Sequence, residues 1–273
     1  MKLDQFSPSI KALILDMDGV LWRAGEAIGD LKRNFDAITS CGLKVSLATN
    51  NSTRTSADYV KKLASFGVHV DESQVFNASS AAATLLKERF PEGGEIYMIG
   101  ESGLAVALTR QGFMPYTAEE NDKLPAIEKN PPVAVVSGLD IGINYKKLAQ
   151  ATLLIRAGVP FYATNPDKSY PSPYGQLPGS GAILACLTAA SGVEPIIAGK
   201  PESFLFNLAM QQMEVSPEET LVIGDRLETD ILGGQNAGCK TALVLSGVST
   251  REQGEAWLPK VDIITNELAE VVF

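Results

Sequence analysis

The chain has 273 residues, 45% of them apolar and 20% charged, which is enough for one large or two smaller globular domains. Its 32 acidic and 23 basic residues give a formal net charge of −9, which argues against nucleic acid polymers and anionic membrane surfaces as general partners. The three scattered cysteines form no CxxC pair, and no apolar run reaches the ~18 residues of a membrane span. We therefore expect a cytoplasmic protein without a disulfide framework, a zinc site or a membrane span.

The first predicted strand lies at residues 12–15, inside the segment IKALILDMDGVLW. Its unbroken apolar run predicts a strand buried on both faces, as in a parallel sheet. Asp16 and Asp18 follow directly, at the strand end where open α/β sheets bind ligands, and Gly19 comes next. Two carboxylates two positions apart repel each other unless a proton or a cation such as Mg²⁺ lies between them. A solvated turn or a helix N-cap would explain the same pair.

The next predicted units place hydroxyl and amide side chains at a second strand end. Apolar spacing predicts a helix within residues 28–42 and a strand at 44–48. Thr49, Asn50 and Asn51 follow this strand and, with the N–H groups at the start of the next helix, suit an oxyanion. A plain N-cap is the simpler explanation of this segment taken alone.

Strand and helix patterns continue to alternate through the middle of the chain. Strands are predicted at 95–99, 133–137 and 161–164, and helices at 81–89, 103–111 and 145–157. A polar, proline-bearing surface loop is predicted at 121–132. Residues 168–181 are rich in Pro, Gly, Ser and Tyr without periodicity, which predicts a long functional loop.

The last third returns to strand and helix alternation. Helices are predicted at 181–191, 203–213 and 230–237, and strands at 195–198, 220–223, 240–245 and 262–265. Repeated β-α units predict a doubly wound parallel sheet with right-handed crossovers. Thr49 and Lys200 are 151 positions apart, far more than one crossover needs. We therefore expect a discontinuous core at 1–79 and 181–273, with an inserted smaller α/β domain at 80–180.

Four predicted strand ends carry, in order, the segments DMDGV, ATNNST, GKP and GDRLETD. This ordered set resembles the haloacid dehalogenase-like superfamily of phosphotransferases. Its details are similar to the subgroup of NagD-type nucleotide and sugar phosphatases and of the 4-nitrophenyl, phosphoglycolate and pyridoxal phosphate phosphatases. The resemblance implies a Rossmann-like core with an α/β cap of the C2 type between the second and third motifs.

The resemblance also implies a role for each residue that matches a motif. Asp16 would be the nucleophile that forms an aspartyl-phosphate, and Asp18 would protonate the leaving group and then activate water. Thr49 and the Asn50 amide would hold the phosphoryl oxygens, while Asn51 would orient the substrate or a flap. A structural alternative is that Asp16 and Asp18 only bind metal.

The same resemblance implies a Mg²⁺ site beside a lysine. Lys200 would neutralise the nucleophile and the phosphoryl group, although a surface lysine in a Gly-Lys-Pro turn is the ordinary alternative. Asp225 would complete the metal site with the Asp16 carboxylate and the Asp18 carbonyl. Asp230 is either a further ligand or a residue that holds waters or the loop.

The cap would supply specificity. Gly19, Asn165 and Asp167 are expected to bind substrate, together with the two asparagines after Thr49, and residues 168–181 would close over the core site. This loop lacks the histidine of the vitamin B6-type phosphatases, which puts that substrate in doubt. Tyr170 and Tyr174 would stack on a substrate ring or simply pack.

These features predict a Mg²⁺-dependent phosphatase that acts on a small phosphorylated metabolite, such as a sugar phosphate, a nucleotide, phosphoglycolate or 4-nitrophenyl phosphate. A phosphoryl-transferase or mutase of the same fold is one alternative. A non-catalytic regulator that binds phosphometabolites is another, although the intact Asp18 argues against it. Dimers through the cap occur in relatives, so a homodimer is a further expectation.

Overall fold

The computed structural model describes residues 2–118, 131–172 and 174–273. The strands are β1 (Ala12–Leu15), β2 (Trp22–Arg23), β3 (Glu26–Ala27), β4 (Lys44–Thr49), β5 (Val75–Asn77), β6 (Gly94–Ile99), β7 (Phe113–Tyr116), β8 (Ala134–Ser137), β9 (Phe161–Ala163), β10 (Ser169–Ser172), β11 (Gly175–Pro178), β12 (Ile196–Ile197), β13 (Thr220–Gly224), β14 (Lys240–Val244) and β15 (Ile263–Thr265). The helices are α1 (Leu31–Ser40), α2 (Ser56–Ser65), α3 (Ala78–Arg89), α4 (Ser102–Arg110), α5 (Tyr145–Arg156), α6 (Ser180–Ser191), α7 (Phe204–Met213), α8 (Leu232–Asn236), α9 (Arg251–Ala256) and α10 (Ala269–Val272).

The chain forms two compact units. The core unit comprises the chain up to Thr49, together with Ser56–Phe76 and Lys200–Phe273. The inserted unit comprises Asn50–Thr55 and Asn77–Gly199. Each unit has its own parallel sheet and its own apolar core. The predicted doubly wound, Rossmann-like α/β fold is confirmed.

The core unit is built on a six-stranded sheet in the order β15-β14-β13-β1-β4-β5. The four neighbouring pairs from β15 to β4 are parallel. Every residue of β1 is fully buried, because β1 has a strand on each side and lies within an apolar core that includes Phe35 of α1 and Leu63 of α2. The continuous apolar run in the sequence therefore marks a central strand covered on both faces.

The register of the core sheet brings three strand ends to one edge. Leu15 of β1 pairs with Ile223 of β13 on one side and with Leu47 of β4 on the other. Because the strands are parallel, the residues that come after these three positions leave the sheet at the same edge, where ligands bind in open α/β sheets.

The inserted unit has a five-stranded parallel sheet in the order β12-β9-β8-β6-β7. Its last strand, β12, pairs with β9 through Ile196 and Tyr162, and α6 packs against α5 and β8. The structure therefore places α6 and β12 in the inserted unit, which ends at Gly199, whereas the sequence placed the boundary at residue 180.

Residues 168–181 contain an antiparallel hairpin of β10 and β11, so the prediction of an aperiodic loop is wrong here. Ser172 Oγ donates to the carbonyl of Gly175 at 2.8 Å and accepts from the N–H of Tyr174 at 3.1 Å. Main-chain pairing and a turn held by one serine need no alternation of apolar side chains, which is why the sequence pattern did not show the hairpin.

Two helix starts also differ from prediction. Helix α3 begins at Ala78 rather than at residue 81, because Asn77 Oδ1 accepts from the N–H of Ser80 at 2.8 Å and caps the helix. The helix predicted at 230–237 is a π-helical turn, Leu227–Ile231, followed by α8. Strands β2, β3 and β7 and helices α9 and α10 were not predicted, and most of the loop predicted at 121–132 lies outside the described residues.

None of the helices in the described ranges combines the length and the apolar character needed to span a bilayer. All three cysteines fall within these ranges, and none of them forms a disulfide.

Candidate active site

Three carboxylates converge at the carboxyl edge of the core sheet. Asp16 follows β1, Asp225 follows β13, and Asp230 lies on the π-helical turn after β13. One carboxylate oxygen from each residue lies within 4.8 Å of the other two, and all three residues are buried. Among the described residues, this is the one group of acidic, histidine or cysteine side chains that are close enough together to hold a metal ion.

Lys200 is the cation of this site. Its Nζ donates to Asp16 Oδ1 at 2.5 Å, to Asp230 Oδ1 at 2.6 Å and to the carbonyl of Ala48 at 3.1 Å. The residue is 2% exposed, and its three acceptors match the three protons of an ammonium group. The alternative of a surface lysine in a Gly-Lys-Pro turn is therefore wrong.

Burial is the largest influence on the pKa values of this cluster. It raises the pKa of the Asp16 carboxyl well above its usual range; Lys200 opposes the shift, whereas Asp230 and Asp225 add to it. Burial and the charge of Asp230 raise the pKa of Asp225 to about 7. Burial alone would lower the pKa of Lys200, but Asp16 and Asp230 outweigh it and raise that pKa. The positive charge of Arg226, a half-buried residue, opposes the shift at Asp225. Even so, three buried carboxylates share only one buried ammonium group, which leaves the cluster short of positive charge.

Asp230 orders the loop that carries Asp225. Its Oδ2 accepts from the main-chain N–H of Asp225 at 3.2 Å and of Arg226 at 3.0 Å, while its Oδ1 accepts from Lys200. Both oxygens are thus engaged with the protein. This arrangement fits the loop-holding alternative for Asp230, and direct ligation of a metal by this residue stays a prediction.

Residues 246–248, which follow β14, also contact the loop of Asp18 and the side chain of Asp225. The sequence did not predict these contacts. Val248 N donates to Asp225 Oδ2 at 2.8 Å, and Ser246 Oγ donates to the carbonyl of Gly19 at 2.6 Å. A Cβ at Gly19, whose φ is +88°, would lie 2.5 Å from Asp225 Oδ2, and one at Gly247 would also collide with Asp225. Ser246 and Gly247, two small residues directly after the strand predicted at 240–245, were the available sequence signal for this contact, because small residues let the backbone approach a carboxylate closely.

Asp18 is placed differently from the three clustered carboxylates. It is exposed, and its side chain is not part of the group that could share a metal ion. Its Oδ1 accepts a hydrogen bond from Trp22 Nε1 at 2.8 Å. Metal binding by the Asp18 carbonyl stays a prediction.

Thr49 ends β4 and is buried, directly after Ala48, the residue whose carbonyl accepts from Lys200. The chain passes from the core unit to the inserted unit between Thr49 and Asn50. The strand-end threonine therefore lies in the same unit as the carboxylates and the lysine.

Four of the predicted substrate-binding residues lie in the inserted unit. Asn165 Nδ2 donates to the main-chain carbonyl of Asn50 at 2.7 Å, and Asn50 Nδ2 donates to Asp167 Oδ1 at 3.1 Å. The N–H of Asp167 in turn donates to Asn165 Oδ1 at 3.1 Å, which closes the network. Asn51 Oδ1 accepts from the N–H of Thr53 at 3.0 Å and so stabilises its own turn. Their contacts with substrate stay predictions.

Known proteins match this chain over most of its length. Residues 13–114 match the family model described as haloacid dehalogenase-like hydrolase, and residues 197–271 match the model described as HAD-hydrolase-like. Phosphoglycolate phosphatase 2 of Arabidopsis thaliana is 36% identical over 255 residues, which cover 89% of this chain and 85% of the relative.

Solved structures extend the similarity to the fold. NagD from E. coli K-12 is 32% identical with a TM-score of 0.84, covering 97% of this chain and 99% of NagD. The glycerol phosphate phosphatase from Mycobacterium tuberculosis, solved in complex with magnesium, is 29% identical with a TM-score of 0.85, covering 96% of this chain and 76% of that protein.

The fold and the buried carboxylate and lysine cluster define a Rossmann-like enzyme of the phosphoryl-transfer class, with an inserted α/β domain. The chain belongs to the haloacid dehalogenase-like hydrolases, and its neighbours match the NagD-like subgroup that the four motifs predicted. The predicted class of enzyme, a phosphoric monoester hydrolase, is confirmed by relatives that are named phosphatases or, in one case, a 5′-nucleotidase.

Proposed function

We propose that the protein is a Mg²⁺-dependent phosphatase that hydrolyses small phosphate monoesters through an aspartyl-phosphate on Asp16. The observation that carries this proposal is the convergence of three buried carboxylates around the ammonium group of Lys200. A phosphate dianion can be attacked only where its charge is neutralised and a nucleophile is held in line. At this strand edge Lys200 and a divalent cation would neutralise the charge, and Asp16 would be the nucleophile.

The donor set fits a hard divalent cation. Three carboxylates and one ammonium carry two uncompensated negative charges when all are ionised, which a divalent cation balances, and carboxylate oxygens are the ligands that Mg²⁺ prefers. Asp16 and Asp225, with the Asp18 carbonyl, would hold the ion, while Asp230 holds Lys200 and the loop. When bound, Mg²⁺ would neutralise phosphoryl charge and polarise a phosphoryl oxygen.

Asp16 and Asp18 would have different roles in the two chemical steps. A carboxylate oxygen of Asp16 bonds to phosphorus, the ester P–O bond breaks, and Asp18 gives its proton to the leaving oxygen. A water then attacks the phosphorus of the aspartyl-phosphate and gives a proton to Asp18, which restores the Asp16 carboxylate and releases inorganic phosphate. The exposure of Asp18 supports this assignment, because a residue that exchanges protons with substrate and water must be reachable.

Thr49 and the main-chain N–H of Asn50 would hold the phosphoryl oxygens. The Asn50 side chain instead donates to Asp167, and its carbonyl accepts from Asn165. We assign Asn165 and Asp167 the task of fixing the segment that comes after Thr49. Gly19 would leave space beside Asp225, since a side chain at this position would displace that carboxylate.

The test is release of phosphate from 4-nitrophenyl phosphate, with and without Mg²⁺. We expect turnover by the unaltered protein only with the metal, and a loss of at least about a thousandfold in Asp16→Asn, which keeps the shape but not the nucleophile. Asp36→Asn is the matched control, because this carboxylate lies on the surface of α1 in an exposed ion pair with Lys32. Metal-independent turnover, or an active Asp16→Asn variant, would contradict the mechanism.

A panel of phosphate monoesters then identifies the class of substrate. We propose that phosphoglycolate, 5′-nucleotides, sugar phosphates and glycerol phosphate be compared side by side, because relatives of this chain are named for these substrates. Transfer of phosphate to an added alcohol would favour the phosphoryl-transferase alternative, and tight binding without turnover would favour the regulator. The cytoplasmic location and the homodimer stay predictions.

A further inference from the structure

Asp18 lies in a compact turn whose last residue is Trp22. The N–H groups of Leu21 and Trp22 donate to the carbonyl of Met17 at 2.8 and 3.3 Å, and the N–H of Gly19 donates to the carbonyl of Trp22 at 2.8 Å. Across this turn, Trp22 Nε1 donates to Asp18 Oδ1 at 2.8 Å. The backbone thus brings an indole N–H to the one site carboxylate that is exposed.

The indole itself is fixed from several sides. Trp22 is 1% exposed, and its ring stacks on Tyr59 at a centroid distance of 6.4 Å and on Phe66 at 6.0 Å. Lys62 Nζ lies 3.7 Å from the centroid of the same ring, a cation–π distance. Because these side chains confine the buried ring, its N–H has a defined direction, whereas an exposed aspartate would otherwise sample several rotamers.

We propose that Trp22 is a positioning residue that orients the Asp18 carboxyl group for proton transfer to the leaving oxygen. This inference rests on the general-acid role proposed for Asp18. The indole N–H occupies one carboxyl oxygen, Oδ1, and leaves Oδ2 to carry the proton. General acid catalysis requires hydrogen-bond reach between the acid and the leaving oxygen, so a carboxyl group that rotates freely would lose rate without losing its chemistry. A phenylalanine could fill the apolar site but could not donate.

The dependence of rate on the leaving group tests this role. 4-Nitrophenolate leaves without a proton, whereas an alkoxide needs one. We expect Trp22→Phe to lower kcat/KM roughly ten- to a hundredfold for an alkyl monoester that the panel shows to be turned over, and less than about threefold for 4-nitrophenyl phosphate. The ratio of the two kcat/KM values on one preparation is independent of the fraction of protein that is folded.

Two controls separate this inference from the function on which it rests. The chain has two tryptophans, and Trp257 Nε1 donates to Gln235 Oε1 at 3.2 Å, so Trp257→Phe removes a similar bond elsewhere and should leave the ratio unchanged. Asp18→Asn should change the ratio strongly, and adding Trp22→Phe to it should change the ratio no further. If Asp18→Asn slows both substrates equally, the general-acid role fails. If Asp18→Asn changes the ratio and Trp22→Phe does not, the positioning role alone fails.

A spectroscopic measurement covers the case in which Trp22→Phe does not fold. The two indole N–H resonances can be assigned by recording the spectrum of Trp257→Phe. We expect Asp18→Asn to shift the Trp22 indole N–H resonance and to leave that of Trp257 in place, because the Trp22 indole donates to Asp18 and the Trp257 indole donates to Gln235. A Trp22 resonance that does not move would overturn the proposal.

Discussion

The core unit and the inserted unit share one architecture and differ in the residues at their strand ends. Both are built on parallel sheets. The core strands β1 and β13 are followed by Asp16 and Asp225, whereas β6 and β8 of the inserted unit are followed by Gly100 and Gly138. The fold thus supplies an edge where side chains meet, and the residue identities at this edge decide whether chemistry can occur.

The two units also differ in how they balance buried charge. In the inserted unit, Lys147 Nζ lies 2.7 Å from Asp140 Oδ2, one cation beside one anion. In the core unit, Lys200 forms ion pairs with two carboxylates, Asp16 and Asp230. A third carboxylate, Asp225, has an oxygen within 4.8 Å of an oxygen of each. The first pair balances its own charge, whereas the three carboxylates of the second cluster outnumber their one buried ammonium group. Matched substitutions in the two units test this difference.

The largest effect is expected from removing the core lysine. Lys200→Met should lower turnover of 4-nitrophenyl phosphate by at least about a thousandfold, because Asp16, the proposed nucleophile, and the phosphoryl group would lose their fixed cation. It should also lower the free energy of unfolding of the metal-free protein by about 3–5 kcal/mol, because buried carboxylates lose their partner. Initial rates and chemical denaturation measure the two effects.

Lys147→Met is the matched variant in the inserted unit. It removes the partner of a buried carboxylate and should lower stability as well, yet change turnover less than about threefold where the variant is folded. Equal losses of turnover in the two variants would show that the charge difference between the units has no bearing on catalysis.

The second effect concerns metal affinity. Asp225→Asn should weaken Mg²⁺ binding by at least about a hundredfold, because it would remove a charged ligand from the proposed metal site. Asp140→Asn, which alters the complete pair of the inserted unit, should leave Mg²⁺ affinity unchanged. Isothermal titration calorimetry of both variants makes the comparison; similar affinities in both would place the metal elsewhere.

Much of this site could be predicted from sequence, because the motifs are local. The apolar runs at 12–15 and 220–223 mark buried strands, and Asp16, Thr49 and Asp225 lie at or directly after the ends of their strands. The structure brings Asp16 and Asp225 together because their strands are neighbours in a parallel sheet. Lys200 was assigned from the order of the motifs alone, and its burial was not predictable from the Gly-Lys-Pro turn.

The rest depended on contacts between distant residues. Strand β12 has two residues, so only its pairing with β9 decides which unit it joins. The hydrogen bond from Val248 N to Asp225 Oδ2 joins residues 23 positions apart in the sequence, and no local sequence pattern indicates it. The hairpin of β10 and β11 is stabilised by main-chain pairing, which apolar periodicity does not report.

A third effect arises from the raised pKa of Asp225, about 7 in the folded, metal-free protein. An unfolded aspartate ionises near pH 3.9, so between about pH 4 and 7 the folded state keeps a proton that the unfolded chain has released. Stability of the metal-free protein should therefore fall as pH rises through this window, by up to about 1.4 kcal/mol per unit. The raised pKa of Asp16 acts in the same direction.

At the proposed metal site Mg²⁺ should reverse this trend, because it would bind the ionised carboxylates. We expect the rise in Tm on adding Mg²⁺ to grow from pH 5 to pH 7, and Asp225→Asn in EDTA to show a flatter dependence of Tm on pH. A metal-free protein whose stability increases with pH over this range would contradict the charge imbalance assigned to the core unit.

The smallest effect is expected in the inserted unit, from Asn165→Ala. Asn165 fixes the carbonyl of Asn50, the residue after Thr49, so its loss should lower stability by about 1–3 kcal/mol and kcat/KM by roughly tenfold.

Asn144→Ala is the matched control, because this N-cap of α5 accepts from the N–H of Lys147 at 3.0 Å and its loss costs about 1 kcal/mol in the same unit. If instability alone lowered the rate, both variants would be slower in proportion to their stability loss. If Asn165 instead affects turnover by fixing residue 50, only Asn165→Ala is slow at a temperature where both variants are folded. The loss of kcat/KM is then equal for alkyl and 4-nitrophenyl substrates, because no proton transfer is involved.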